Sequence, residues 1–303
     1  MALAALLVGA VGLRAPRAGA EPVTPTLEVA SMEQEWNAWH AERLARLTGE
    51  DGWLTLIDLA FLGQGKATLG RAEGADLRYA HLSDDEAGTF IRSGDQVRFE
   101  PAPGAAITAD GAPAQPMTLV ADDQGPPTVL RSGSVSIVLV RRNGDLALRV
   151  RDNASPVRTG FRGVDRYPID PSRRVNARVE RAPKGTTVAV TNVTGYTSQE
   201  PLDVTLVFEI DGRERRLVAR ESSPGNLFIV FGDKTNGAGT HGGGRFLEAS
   251  IGGDGEAILD FNRAYNPPCS FTAFATCELP TAGNRLPVAI EAGERAPKGP
   301  EVQ

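Results

Sequence analysis

The spacing of apolar residues changes character once along this chain. Between Ser31 and Leu47 they recur at helical period, with Trp36, Trp39, Leu44 and Leu47 beside Arg43 on one stripe, Ser31 placed as N-cap and Gly49 as the stop. Tryptophans on such a stripe read as a packing face laid on a sheet, with a ligand platform as the alternative. After Trp53 the runs become short, alternating or continuous, and cut by Gly, Pro, Asp and Asn, which predicts consecutive antiparallel strands. In the first half these are expected at Leu54–Leu62, Lys66–Gly70, Thr89–Arg92, Val97–Phe99, Met117–Ala121, Thr128–Arg131 and Val135–Arg142, the last turning through Asn143-Gly144 into Leu146–Arg151. In the second half they are expected at Arg174–Glu180, Thr187–Asn192, Val204–Ile210, Arg213–Ala219, Leu227–Phe231, Arg245–Ala249 and Ala257–Phe261. Asp211-Gly212 supplies a second tight hairpin turn. The segment Gly232–Gly244 holds six glycines and reads as a mobile or ligand-facing loop.

The class that follows is all-β. It comprises an antiparallel β-sandwich-like N-terminal half (51–142), a larger β C-terminal half (143–292) and one amphipathic helix within an N-terminal segment (21–50). A polar tail without core-forming residues begins at Gly293.

The ends and the charge refine this picture. Residues 1–20 run apolar from Leu3 to Leu13, then through Arg14 and Arg17 to the small triplet Ala18-Gly19-Ala20, the order of a secretory signal and its cleavage site. No basic stretch precedes the apolar run, which leaves a misassigned start or a short uncleaved anchor open. Nothing later approaches the roughly 18 apolar residues of a membrane span, so an exported protein, periplasmic or extracellular, is expected. The only two cysteines, Cys269 and Cys277, admit a local disulfide, a buried thiol pair or a reactive Cys269. A net charge of -6 argues against nucleic acid or an anionic membrane as partner. The charge is unevenly spread: Arg141 to Arg181 carries eleven arginines against five acids, so that stretch is +6 and the remainder about -12.

Candidate chemistry concentrates between Leu227 and Leu286, where polar residues sit at expected strand ends among glycines and prolines. Asp233 and Thr235 follow one strand, Arg245 starts the next, and Asp260 with Asn262 ends the one after, with Tyr265 and Asn266 just beyond. If those strands are neighbours, two carboxylates, a guanidinium and an amide converge on one rim, able to hold a polyhydroxylated ligand, bind a metal or polarise water. The same residues also suit turn capping and ion pairing that merely fix loops. Gly237, Gly239 and Gly242 form a literal G-x-G-x-x-G, rejected as a dinucleotide site because a strand and not a helix follows. Three histidines, His40, His81 and His241, have no ligating spacing, so no metal site is assigned and no cofactor is named. His241, Cys269 and Asp233 or Asp260 compose a possible thiol, base and orienting acid. Arg149 and Arg151 share one strand face and Arg174 and Arg178 another, as solvated residues opposite a core or as an anion-facing wall with Asp152, Arg158 and Arg162 at its rim.

From Trp36 to Glu294 the chain resembles the bacterial and archaeal family called domain of unknown function 1684. The resemblance is carried by Asp51-Gly52-Trp53-Leu54, by Leu148-Arg149-Val150-Arg151-Asp152, and by the run from Phe228 that includes Leu259 to Cys269 and Asn284-Arg285-Leu286. His241 departs from it, since the family pattern more usually has tyrosine there. It implies no activity. A looser similarity links Gly65–Arg142 to forkhead-associated β-sandwiches through Gly70-Arg71, Ser83, Asp110-Gly111 and Leu130-Arg131-Ser132-Gly133. It would carry over Arg71 and Ser83 as phosphate-reading residues, with Asp110 where asparagine is preferred, and serves as a hint of fold. The leading expectation is a binding protein for a small anionic or polyhydroxylated ligand. A hydrolase using Asp233 or Asp260 as base or metal ligand and a structural envelope protein are the alternatives.

Overall fold

The computed structural model describes residues 27–298; the expected signal segment and residues 299–303 lie outside it. The long helix α1 (Leu27–Thr48) begins one turn before the expected cap, so Ser31 lies inside it, preceded by a turn in which Leu27, Glu28 and Ala30 are good helix formers. Met32, Trp36, Arg43 and Leu47 are its buried face.

The N-terminal half contains β1 (Leu56–Phe61), β2 (Gly65–Gly70), β3 (Leu77–Arg78), β4 (Gly88–Ser93), β5 (Gln96–Pro101), β6 (Thr108–Ala109), β7 (Ala112–Pro113), β8 (Met117–Thr118), β9 (Val129–Ser132), β10 (Val135–Arg142) and β11 (Asp145–Asp152). They make two sheets, ordered β1-β11-β10-β9-β6-β7 and β3-β2-β4-β5-β8. Alternate residues of both, among them Leu69, Phe90, Phe99, Ile137, Leu139 and Leu148, close into one core, so the expected sandwich forms. The sandwich runs further than the pattern suggested. The Asn143-Gly144 turn, with both residues at positive φ, feeds β11 back between β10 and β1, and the half therefore ends at Asp152 and not at Arg142.

After the short helix α2 (Pro156–Thr159) come β12 (Arg174–Arg181), β13 (Thr187–Thr191), β14 (Thr197–Pro201), β15 (Val204–Ile210), β16 (Arg213–Ser223), β17 (Asn226–Phe231), β18 (Arg245–Ser250) and β19 (Glu256–Asp260). Six of them pair in the order β18-β17-β16-β15-β12-β19, and an antiparallel bridge between Ile251 and Ala257 joins the two ends into a barrel. Its interior is filled from every strand, by Ala177, Leu206, Leu217, Ile229, Leu247 and Leu259 among others. The strands β13 and β14 form a separate hairpin. Helix α1 lies against the barrel, the Trp36 indole donating to the Asn262 carbonyl at 2.7 Å. A small apolar junction of Leu47, Leu54, Val164 and Phe271 joins helix, sandwich and barrel.

The chain from Gly293 is not a free tail within the described residues. Glu294 is wholly buried, accepts from Arg43 Nε at 2.6 Å and from the Asn266 amide at 2.7 Å, and its own amide donates to the Ala264 carbonyl. A buried carboxylate needs such partners, and α1 together with the Ala264–Asn266 turn supplies them. Among the described residues no helix is long and apolar enough to cross a membrane.

Candidate functional site

Asp233 and Arg245 do meet, because β17 and β18 pair with Phe231 opposite Arg245. They meet inside the protein. Arg245 Nη2 lies 2.8 Å from Asp233 Oδ2 with both side chains fully inaccessible. The guanidinium also donates to the Ile290 carbonyl at 2.9 Å and to that of Ala292, and lies over the Phe231 ring at 5.3 Å. Burial pulls its pKa down, while Asp233 acts in the opposite direction. The second oxygen of Asp233 accepts from Thr235 N, Thr235 Oγ1 and Ile290 N. Every face of this pair is occupied by the chain itself, so Asp233, Thr235 and Arg245 do not form the expected ligand rim. The glycine-rich loop beside them is likewise bracketed: Asn236 accepts from Asp233 N and donates to Thr240 and His241. At Gly244, φ is +93° and a Cβ would stand 2.7 Å from the Phe231 carbonyl, so this glycine admits neighbouring chain and not a ligand.

The remaining expected residues are dispersed. Asn262 is buried and brackets the chain at Asp170, accepting from its amide at 3.0 Å and donating to its carbonyl at 2.9 Å. Asn266 is buried and donates to the Arg295 carbonyl at 2.7 Å. Asp152 lies in the other half, held between Ser134 Oγ at 2.6 Å and His81 Nδ1 at 2.5 Å. Arg149 is half-buried 5.4 Å over the Trp53 ring; burial first, then Arg142 and Arg151, pull its pKa down to about 10. Arg158, at the expected anion rim, instead donates to the Thr48 and Asn153 carbonyls. Arg71, matched to a phosphate-reading arginine, is 3.0 Å from Asp85.

Asn266 lines, with Tyr265, a cavity of about 180 Å³, and Asp260 and Tyr265 share a larger one. It is a groove of about 470 Å³ on the outside of the barrel, where the side chains of β17 to β19 that alternate with core residues face α1. Glu248 and Ser250 project there in alternation with buried Leu247 and Ala249, and Ile258, 49% exposed, sits between Ala257 and Leu259. Trp39 of α1 completes the wall, its ring 6.3 Å from that of Tyr265 and tilted by 53°. Tyr265 donates to Glu248 at 2.7 Å, and burial followed by that carboxylate keeps the phenol protonated. Arg174 and Arg263 also line the groove, both on Glu35, at 3.1 and 3.2 Å. Asp260 accepts from Asn262 and lies 3.7 Å from Arg263.

The structure also places His241 against Cys269, Nε2 to Sγ 3.6 Å. Neither Asp233 nor Asp260 orients the histidine, since both are engaged as described. Both cysteines are free thiols. Among the described residues no group of three or more His, Cys, Asp or Glu is placed to hold a metal.

The family described as Protein of unknown function (DUF1684) matches residues 159–295. The chain belongs to this family. The matched span takes in the barrel, most of the groove and the two cysteines, and leaves out the sandwich, which the resemblance had included. The solution NMR structure of an uncharacterised protein from Haloarcula marismortui is 35% identical over 46% of this chain and 78% of that one, with a TM-score of 0.38. A search of curated proteins found no match.

In this member of the DUF1684 family, sequence reasoning missed the groove residues Glu248 and Ser250 and the knot of Arg43 with Glu294, and it did not bring Trp39, read as a packing residue, or Arg174, read on an arginine face, to the same groove. A signal existed for Glu248 and Ser250, polar positions alternating with Leu247 and Ala249. None existed for Trp39, which meets Tyr265 from more than 200 residues away.

Proposed function

We propose that this protein binds a small polyhydroxylated ligand in the groove between α1 and strands β17 to β19, and that it does so outside the cytoplasm. The observation that carries the reading is the composition of one wall and floor: an indole, a phenol and an exposed isoleucine beside carboxylates and hydroxyls. The C–H face of a sugar ring stacks on aromatic surface while its hydroxyls exchange hydrogen bonds with carboxylates and hydroxyls. The charge balance favours a neutral ligand over an anion, since both guanidinium groups of the groove already hold Glu35. A groove of about 470 Å³ lies within the size range of small-molecule sites. The export reading rests on the apolar segment followed by Ala18-Gly19-Ala20.

The hydrolase alternative loses Asp233, which no substrate can reach. It would have to rest on Asp260 and Glu248. Thermal shift of residues 21–303 against mono- and oligosaccharides, polyols, phosphates and carboxylates tests the proposal. Stabilisation by a neutral sugar, about 2.7 kcal/mol at a hundredfold excess over Kd, is expected. Release of new reducing ends during incubation would move the assignment to hydrolysis. Stabilisation by phosphates alone would overturn the preference for a neutral ligand.

A further inference from the structure

We infer that Cys269, Cys277 and His241 form a thiol–disulfide exchange site, in which Cys269 attacks an accessible disulfide and Cys277 resolves the mixed disulfide. The arrangement rests on three positions. Cys269 is partly exposed in the middle of the 3₁₀ turn Pro268–Ser270, and Cys277 is buried, 8% exposed. The Cys269 amide donates to Cys277 Sγ at 3.1 Å, which holds the second sulfur at the first residue. On the other side His241 Nε2 stands 3.6 Å from Cys269 Sγ, close enough to take its proton.

This asymmetry suits exchange chemistry. The attacking sulfur needs access and thiolate character, and the resolving sulfur needs shelter until the mixed disulfide has formed. The hydrogen bond from the Cys277 thiol, and then His241, hold the Cys269 pKa below the ordinary cysteine range against the opposing effect of burial; the same hydrogen bond and burial push Cys277 up. Cys277 is anchored by its carbonyl, which accepts from Val193 N, and by the neighbouring bridge of Glu278 to Asn192. The approach of the two sulfurs is thus set by strand β13 and its turn, and not by the eight-residue separation alone.

The Cys269 thiolate bonds to one sulfur of a disulfide R–S–S–R′, the S–S bond breaks, and R′–S⁻ leaves with the electron pair and takes the proton from imidazolium His241. Cys277 then gives its proton to neutral His241 and its sulfur bonds to Cys269 Sγ; the mixed S–S bond breaks, and R–S⁻ leaves with the electron pair and takes that proton from His241. The substrate is reduced by two electrons to two thiols, and the protein is oxidised by two to the Cys269–Cys277 disulfide.

Reduced full-length protein incubated with oxidised glutathione, then alkylated and weighed by mass spectrometry, tests this. The wild type is expected to lose both free thiols without gaining an adduct. Cys277→Ser should trap one glutathione on Cys269, and Cys269→Ser should gain none. His241→Gln should slow the first step about tenfold or more at pH 6.5, with the difference closing near pH 8.5, the pKa of an unassisted thiol. Circular dichroism establishes that each variant is folded, and Cys277→Ala replaces Cys277→Ser if it is not. Independent adducts on both cysteines, reaction at the rate of an unstructured thiol, or inertness of the folded wild type while the denatured chain reacts would each overturn the assignment.

Discussion

Replacing Asp233 by alanine separates a buried structural pair from a ligand-binding carboxylate. Asp233 and Arg245 are both inaccessible, and the carboxylate accepts hydrogen bonds from Arg245, Thr235 and the Ile290 amide. Removing one partner of a buried ion pair leaves an uncompensated charge, at a cost of about 3–5 kcal/mol. The carbonyls of Ile290 and Ala292 still solvate part of the guanidinium, which places the expected loss toward the lower end. For a domain of this size each kcal/mol moves Tm by about 2–4 °C, so the barrel transition should fall by roughly 6–12 °C. Adding Arg245→Met should recover only part of that loss, because those carbonyls then lose their donor. Scanning calorimetry of the three proteins gives the coupling. A variant Asp233→Ala that melts like the wild type but no longer binds ligand would refute the structural assignment and restore the rim read from sequence.

Two further outcomes follow from the packing of α1. Glu294→Ala strips the Asn266 amide of its acceptor and leaves Arg43 only the Asn266 carbonyl, and should cost about 3–5 kcal/mol, with faster amide hydrogen exchange confined first to residues 27–48. His40 stacks on Trp36 at 4.2 Å with its pKa lowered by burial, Glu294 opposing and Arg43 and Arg166 adding to the shift. Because the folded-state pKa lies below the unfolded value of about 6.5, the unfolded chain binds the proton first as pH falls. Stability should therefore decline from about pH 7 downward and level off below the folded-state pKa, and the decline should flatten in His40→Phe, measured by urea unfolding at several pH values.

Strands were legible because alternation reports directly which side of a sheet is buried, and Asn143-Gly144 and Asp211-Gly212 marked their turns with residues that tolerate positive φ. The partnership of Asp233 with Arg245 was legible too, as consequences of consecutive paired strands. What local pattern does not carry is the side from which a polar cluster is covered. The covering segment here is Ile290–Glu294, which runs across the junction of the expected C-terminal half with the tail expected from Gly293, and its carbonyls and one carboxylate seal two buried arginines. The groove was half legible for the same reason: Asp260 and Tyr265 lie on the barrel side, whereas Trp39 arrives on a helix whose docking depends on tertiary contacts alone.

Binding at the groove is tested most directly by calorimetric titration of the most stabilising neutral sugar into the wild type and Trp39→Ala. Trp39 is the better probe than Asp260, since Asp260 also caps the turn at Asn262 and its loss would disturb the fold. The expected result is an affinity at least about tenfold weaker in Trp39→Ala, the loss of one stacking contact worth roughly 1.4 kcal/mol, with Tm within about 2 °C of the wild type. Equal affinity in both proteins, or no heat from any sugar in the wild type, would contradict a ligand site in this groove.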